Sequence, residues 1–151
     1  MSAPLRVRQA GLADVGVVAP LFDAYRGFYG QASDIALAQA FLRERLALGE
    51  SFILLAERSG AAVGFVQLYP LFSSVRARRI LVLNDLYVDE RARRTGVAQA
   101  LLREAEALAR ELGTLRLVLE TAEDNRTAQR LYERLGWRHV AESRWYERDV
   151  G

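Results

Sequence analysis

The chain has 151 residues, 51% of them hydrophobic and 26% charged, with a net charge of +2. That balance suits one soluble domain whose core is large enough to need no covalent staples. There is no cysteine and a single histidine, His139, which excludes disulfides, thiolate metal sites, a cysteine nucleophile and a histidine-built metal centre.

Every basic side chain is arginine, which raises the isoelectric point sharply while changing the charge at neutral pH little. Most arginines alternate with acids, as in Leu-Arg-Glu-Arg-Leu at 42–46 and Leu-Leu-Arg-Glu-Ala-Glu-Ala at 101–107. Such runs make self-paired, solvated helix faces, so no nucleic-acid partner is expected. The opening Met-Ser-Ala-Pro-Leu-Arg-Val-Arg lacks the apolar run of a secretory signal. No segment approaches the ~20 apolar residues of a bilayer span. A cytoplasmic protein without a membrane partner is the expectation.

Periodicity predicts a single domain of alternating strands and helices. Leu5–Gln9 reads as a strand and Asp14 as a helix cap. Val18, Leu21, Phe22, Tyr25, Phe28 and Tyr29 recur at helical spacing, and Pro20 should kink or split that helix. A second helix is expected over 34–48, with Leu37, Phe41, Leu42 and Leu46 inward and Gly49 at its end. Ser51–Glu57 and Ala62–Tyr69 read as a hairpin turning at Ser59-Gly60. Arg79–Val88 is apolar on both faces and belongs centrally in a sheet. A helix follows over 96–112, a strand over 115–119 and a helix over 125–135 ended by Gly136. Strands at Trp137–Ala141 and Arg144–Arg148 close the chain. This pattern is an α/β layer fold around one mixed sheet.

The most informative segment is Asn-Asp-Leu-Tyr-Val-Asp-Glu-Arg-Ala-Arg-Arg-Thr-Gly-Val-Ala at 84–98. It joins a buried strand to an amphipathic helix. The first turn of a helix leaves backbone N–H groups unpaired, and its dipole favours an anion. Small residues at Gly96 and Ala98 let a phosphate approach, and Arg93 or Arg94 adds charge. An ordinary strand-to-helix turn with two solvated arginines has the same spacing. With no lysine and no G-x-G-x-x-G run, nucleotide hydrolysis and dinucleotide redox chemistry lose support.

The segment resembles the central motif of the GNAT acyltransferases, a strand ending in apolar-x-Val followed by R/Q-x-x-G-x-G/A. Here it reads Leu86-Tyr87-Val88, then Arg93-Arg94-Thr95-Gly96-Val97-Ala98. A second family motif, N-x-x-A-x-x-[LF]-Y-x-x-x-G-[FW], is matched by Asn125, Ala128, Leu131-Tyr132, Gly136 and Trp137. The resemblance spans roughly residues 5–148 and is sharp from about 84 to 137.

It implies a GNAT fold: a mixed, mostly antiparallel sheet of about seven strands, splayed between the fourth and fifth, with helices on both faces. It also implies an N-acetyltransferase that uses acetyl-CoA and a small-molecule primary amine. Leu86, Tyr87 and Val88 would pair with the pantetheine arm, and the Val88 N–H would polarise the thioester carbonyl. Arg93, Arg94, Thr95, Gly96, Val97, Ala98 and Gln99 would hold the pyrophosphate. Asn125 and Ala128 would face the pantetheine, with Tyr132 near the sulfur as general acid. By periodicity alone, Tyr132 shares a core-facing stripe with Ala128, Leu131 and Leu135.

The base is less defined. Asn84-Asp85 interrupts a buried apolar strand, either as a bulge bonding local backbone or as a site for the amine. Polyamine and diamine acetyltransferases of the family show Leu-Glu-Asp there. Asn84 stands at the Glu position and cannot act as a base, which leaves Asp85, Glu120 or ordered water. The segments Phe28-Tyr29-Gly30 and 69–79 are expected to shape the acceptor pocket, and Trp145 and Tyr146 to pack in a homodimer interface. A protein-lysine or N-terminal acetyltransferase, or a non-catalytic acyl-CoA sensor, are the competing readings.

Overall fold

The computed structural model describes residues 3–151, which divide into two compact units, one ending at Leu119 and one from Glu120 to Gly151. In the first, β1 (Leu5–Ala10), β2 (Phe52–Arg58), β3 (Ala61–Ser73), β4 (Arg78–Val88) and β5 (Leu117–Val118) form one sheet in that order. β1 to β4 are antiparallel to one another and β5 joins β4 in parallel, so the sheet is mixed and mostly antiparallel. The β2–β3 turn is at Ser59-Gly60, both left-handed (φ 54° and 77°), the twist a two-residue hairpin requires.

Three helices cover the two faces. α1 (Val15–Phe28) and α2 (Ile35–Ala47) close one face, where Val18, Phe22 and Leu42 pack on Ile53, Leu55 and Phe65. α3 (Val97–Glu111) lies on the other face, its Val97 and Leu101 against Gly64 of β3. Strand alternation divides the sheet residues between the two layers. α1 runs unbroken through Pro20 because that residue is on the exposed side, where the carbonyl it leaves unpaired meets water. In α2 the buried residues are Ala38 and Leu42, while Leu37, expected inward, is 50% exposed.

At Gly64 the sheet and α3 meet closely. A Cβ there would lie 2.9 Å from the Tyr87 carbonyl oxygen and 3.1 Å from Val97 Cγ1. Backbone on one side and a packed helix on the other leave it nowhere to go. Gly64→Ala is expected to destabilise the fold by about 1–3 kcal/mol through overpacking. A lowered urea midpoint with an unchanged m value is the signature.

The expectation of seven strands is corrected to five. Trp137–Ala141 and Arg144–Arg148 form no ladder, and residues 138–151 are all exposed. The physical reason is that alternation marks a segment as able to lie on a pleated surface, but a strand exists only where a partner receives its N–H and C=O groups. Trp145 and Tyr146, expected at an interface, are 80% and 83% exposed. β5 is reduced to two residues for the same reason. β3 extends past its expected end and takes in Pro70, which sits opposite Leu81. The Leu81 N–H donates instead to Arg116 O, so the missing proline donor leaves no orphan. Among the described residues, no helix is long and apolar enough to cross a membrane.

The second unit holds α4 (Arg126–Arg134). The Asn125 side chain accepts from the Ala128 N–H (3.2 Å) and caps it, and Gly136 ends it at φ 95°.

Candidate active site

β4 carries one extra residue. Gln67 of β3 is opposite Asp85, but its neighbour Leu68 is opposite Leu83, so Asn84 is bulged out of the ladder. The bulge changes which backbone groups face β3. Near the start of β4, the Leu81 N–H points to β5. Beyond the bulge the parity has switched: Asp89 N donates to Val63 O (2.8 Å), so the neighbouring pair Gly64–Val88 is a non-bonded one. The Leu86 and Val88 amide groups therefore point away from β3. The Val88 carbonyl agrees, since it accepts from Arg93 Nε at 3.1 Å. On that side the pairing of β4 with β5 ends at Val82 and Val118, which leaves this stretch of edge open to an added strand.

The bulge also sets up a buried polar chain. Ser51 Oγ donates to Gln67 Oε1 (2.7 Å), and Gln67 Nε2 donates to Asp85 Oδ2. Asn84 Nδ2 donates to Asp85 Oδ1 at 2.8 Å. Tyr25 of α1 donates to Asn84 O at 3.3 Å, and its hydroxyl is also within reach of the Asp85 carboxylate. Asp85 is 2% exposed and Gln67 fully buried. Every partner of this carboxylate is neutral, and burial lifts its pKa above the ordinary carboxylate range against the pull of those donors. Burial and the Asp85 charge raise the Tyr25 and Tyr69 hydroxyls too, so both stay neutral at physiological pH.

Asp85 faces a pocket of about 320 Å³. Tyr25 and Arg26 line it from α1, Tyr29 from the cap just beyond α1, Phe41 from α2 and Tyr69 from β3. Phe22, Tyr25 and Phe41 stack along its wall. Of the two segments 28–30 and 69–79, Tyr29 and Tyr69 border this cavity. Phe28 is instead 71% exposed and outside the lining.

After β4 the chain makes a short turn at Glu90–Ala92 and reaches α3 through Arg93, Arg94, Thr95 and Gly96. Arg94 (φ 63°) and Gly96 (φ 84°) are both left-handed. A left-handed residue on each side of Thr95 turns the chain sharply into α3. The first helical bond in this stretch runs from Ala100 N to Gly96 O, so the amides of Val97, Ala98 and Gln99 have no helical acceptor. A Cβ on Gly96 would meet nothing within 4 Å, so the space over it is open. Arg58 braces the loop, donating from Nη1 to Thr95 Oγ1 (3.0 Å) and from Nη2 to Thr95 O (3.4 Å). Arg93 is tied back to Val88 O with its guanidinium 5.7 Å from the Tyr87 ring, while Arg94 is exposed.

Glu120, Asn125, Ala128 and Tyr132 belong to the second unit. Glu120 is an exposed carboxylate at its start. Tyr132 is half-buried on α4, its ring 6.0 Å from that of Trp137, whose N–H donates to Tyr132 O.

Comparison with known proteins decides the family. The model of the acetyltransferase (GNAT) family matches residues 18–137. The chain belongs to the GNAT acetyltransferase family. It is 46% identical to the uncharacterized N-acetyltransferase YhfO of Bacillus subtilis, over 97% of this chain and 93% of that protein. It is 37% identical to a probable acetyltransferase of Haemophilus influenzae, over 74% of this chain and 77% of that one. A crystal structure of a probable acetyltransferase matches with a TM-score of 0.91 at 42% identity, covering 97% of this chain and 98% of that one.

In this GNAT acetyltransferase, sequence reasoning found the loop and Asp85 but missed Tyr25, Arg26, Gln67 and Ser51. Gln67 had a signal: it is the one polar side chain in the apolar run Val-Gly-Phe-Val-Gln-Leu at 63–68. Tyr25 and Arg26 had none, because on a helix they read as core and solvated face.

Proposed function

We propose that this enzyme transfers the acetyl group of acetyl-CoA to the primary amine of a small molecule. The observation that carries the reading is a buried carboxylate with only neutral partners, set at a bulge that also turns the Val88 N–H toward the open edge of β4. The acetyltransferases of the family use acetyl-CoA, which supplies the acetyl group as an activated thioester. The residues present suit it. Amides of Arg94 to Gln99 at the head of α3 hold the pyrophosphate, with the open space over Gly96 giving it room. Leu86 to Val88 offer a strand edge to the pantetheine arm, and the Asn125 amide nitrogen and Ala128 serve the same arm.

Asp85 accepts the proton that an ammonium must lose before attack. A buried carboxylate with a raised pKa is matched to that task near neutral pH. Glu120, exposed to solvent, has no such environment. The Val88 N–H donates to the thioester carbonyl oxygen where charge develops. Tyr132 returns a proton to the departing sulfur: a phenol near pKa 10 can protonate a thiolate of about 8.5 as it forms. The pocket is at the small end of the about 300–1,000 Å³ typical of ligand sites, which supports a small acceptor over a folded protein. A carboxylate kept buried without a cation favours catalysis over sensing.

Calorimetry with the purified chain tests the foundation. Acetyl-CoA is expected to bind at micromolar concentration and to release thiol when an acceptor amine is added. No heat at millimolar acetyl-CoA would remove the reading.

A further inference from the structure

The acceptor pocket holds a second charge that the transfer chemistry does not use. Arg26 of α1 lines it together with Asp85. Its Nη1 is enclosed by protein and has no hydrogen-bond partner, while the rest of the side chain stays partly exposed. No acid pairs with Arg26 among the described residues. Asp23 feels the Arg26 charge but takes its hydrogen bonds elsewhere, accepting from Ser33 Oγ and from Asp34 N, both at 2.7 Å. Arg26 and Asp85 do not pair with each other either, although both border the same 320 Å³. A guanidinium partly withdrawn from water with an unbonded Nη1 gains from an anion that accepts its hydrogen bonds.

Two opposite charges held apart on one small, aromatic-walled pocket are the complement of a molecule bearing both. We propose that the acceptor is an amino acid, with its amine toward Asp85 and its carboxylate on Arg26. This rests on the reading of the pocket as the acceptor site. Tyr25, Tyr29, Phe41 and Tyr69 supply apolar surface for a side chain, and the Tyr25 and Tyr69 rings offer faces to the ammonium. The volume suits a single residue. Arg26 is then a specificity residue: it fixes the carboxylate and so aims the amine, while Asp85 handles the proton. The same two contacts reject amines that lack the carboxylate, because the arginine would remain uncompensated.

Matched pairs test this directly: phenylalanine against phenethylamine and leucine against isoamylamine, with wild type, Arg26→Gln and Arg26→Lys. For the wild type, kcat/KM for the amino acid is expected to exceed that for its decarboxylated partner by tenfold or more. Arg26→Gln should abolish the preference by raising the amino-acid KM at least tenfold, with little change for the plain amine, and Arg26→Lys should restore part of it. Ligand-observed NMR in the presence of CoA reads the same preference as binding, without turnover. Carboxylate-dependent binding that needs Arg26 but gives no thiol release would retain the amino-acid site and overturn the transfer reading. Turnover of both members of each pair alike, or an Arg26→Gln loss shared equally by both, overturns the amino-acid proposal and leaves acetyl transfer standing. Absence of carboxylate-dependent binding by either method also overturns it.

Discussion

Asp85→Asn is expected to lower kcat/KM by about 10²–10⁴-fold at neutral pH, the range for loss of a general base. Acetyl-CoA affinity, read by calorimetry, should hold within twofold, because the phosphate loop is at the far end of the strand–helix junction and shares no side chain with Asp85. The pH profile separates a base from a structural residue. Burial raises the Asp85 pKa, so the wild-type acidic limb should fall above the ordinary carboxylate range of about 4. In Asp85→Asn that limb should vanish. Around it are Tyr25, Arg26, Tyr29 and Tyr69, and of these the Tyr25 and Tyr69 hydroxyls are raised by burial and so stay neutral near pH 7. An acidic limb retained unchanged in the variant would assign it elsewhere.

The same shift has a stability consequence. The folded pKa is above the unfolded one, so the folded protein holds this proton to higher pH than the unfolded chain does. The ionised carboxylate therefore subtracts stability above its folded pKa. The loss is recovered as pH falls through that value, and the gain is complete once pH drops below the unfolded value of about 3.9. Asp14 and Asp23 act in the opposite sense. Their pKa values are held low, Asp14 mainly by Arg8 and Asp23 mainly by Ser33, so what they contribute is lost as acid protonates them. Enzymes commonly accept a cost of this kind at a catalytic group.

Tyr132→Phe is the second change with a large expected effect, a fall in kcat of about 10²–10⁴-fold through loss of the general acid. Phenylalanine keeps the ring and its tilted contact with Trp137. KM for both substrates should also stay close to wild type, because the hydroxyl acts only when the sulfur departs. Stopped-flow measurement of thiol release separates this step from product dissociation. Wild-type turnover in the variant would take Tyr132 out of the mechanism and return the residue to the core-facing stripe that its spacing also suits.

The turn at 93–99 was legible in advance because its geometry is local. Helix-terminal amides, a left-handed glycine and nearby arginines are neighbours along the chain, so a short window contains the whole device. The hairpin at Ser59-Gly60 and the caps at Asn125 and Gly136 were readable for the same reason. Asp85 was visible as a polar interruption, but its two readings, bulge or amine site, could not be separated. The structure shows the bulge: the extra residue at Asn84 turns Asp85 into the buried chain with Gln67. The last two expected strands failed because their signal is only a suitability for pairing.

By itself the sequence determined its α/β class and the turn into α3, and its two motifs carried the resemblance to the family, since each depends on residues a few positions apart. Tertiary structure alone decided the pocket beside Asp85. Asp85 comes from β4, Gln67 and Tyr69 from β3, Tyr25 and Arg26 from α1, and Phe41 from α2. Their charges and burial acquire meaning only once the sheet register and helix packing set them around one small volume, where distance through space, and not along the chain, governs electrostatics.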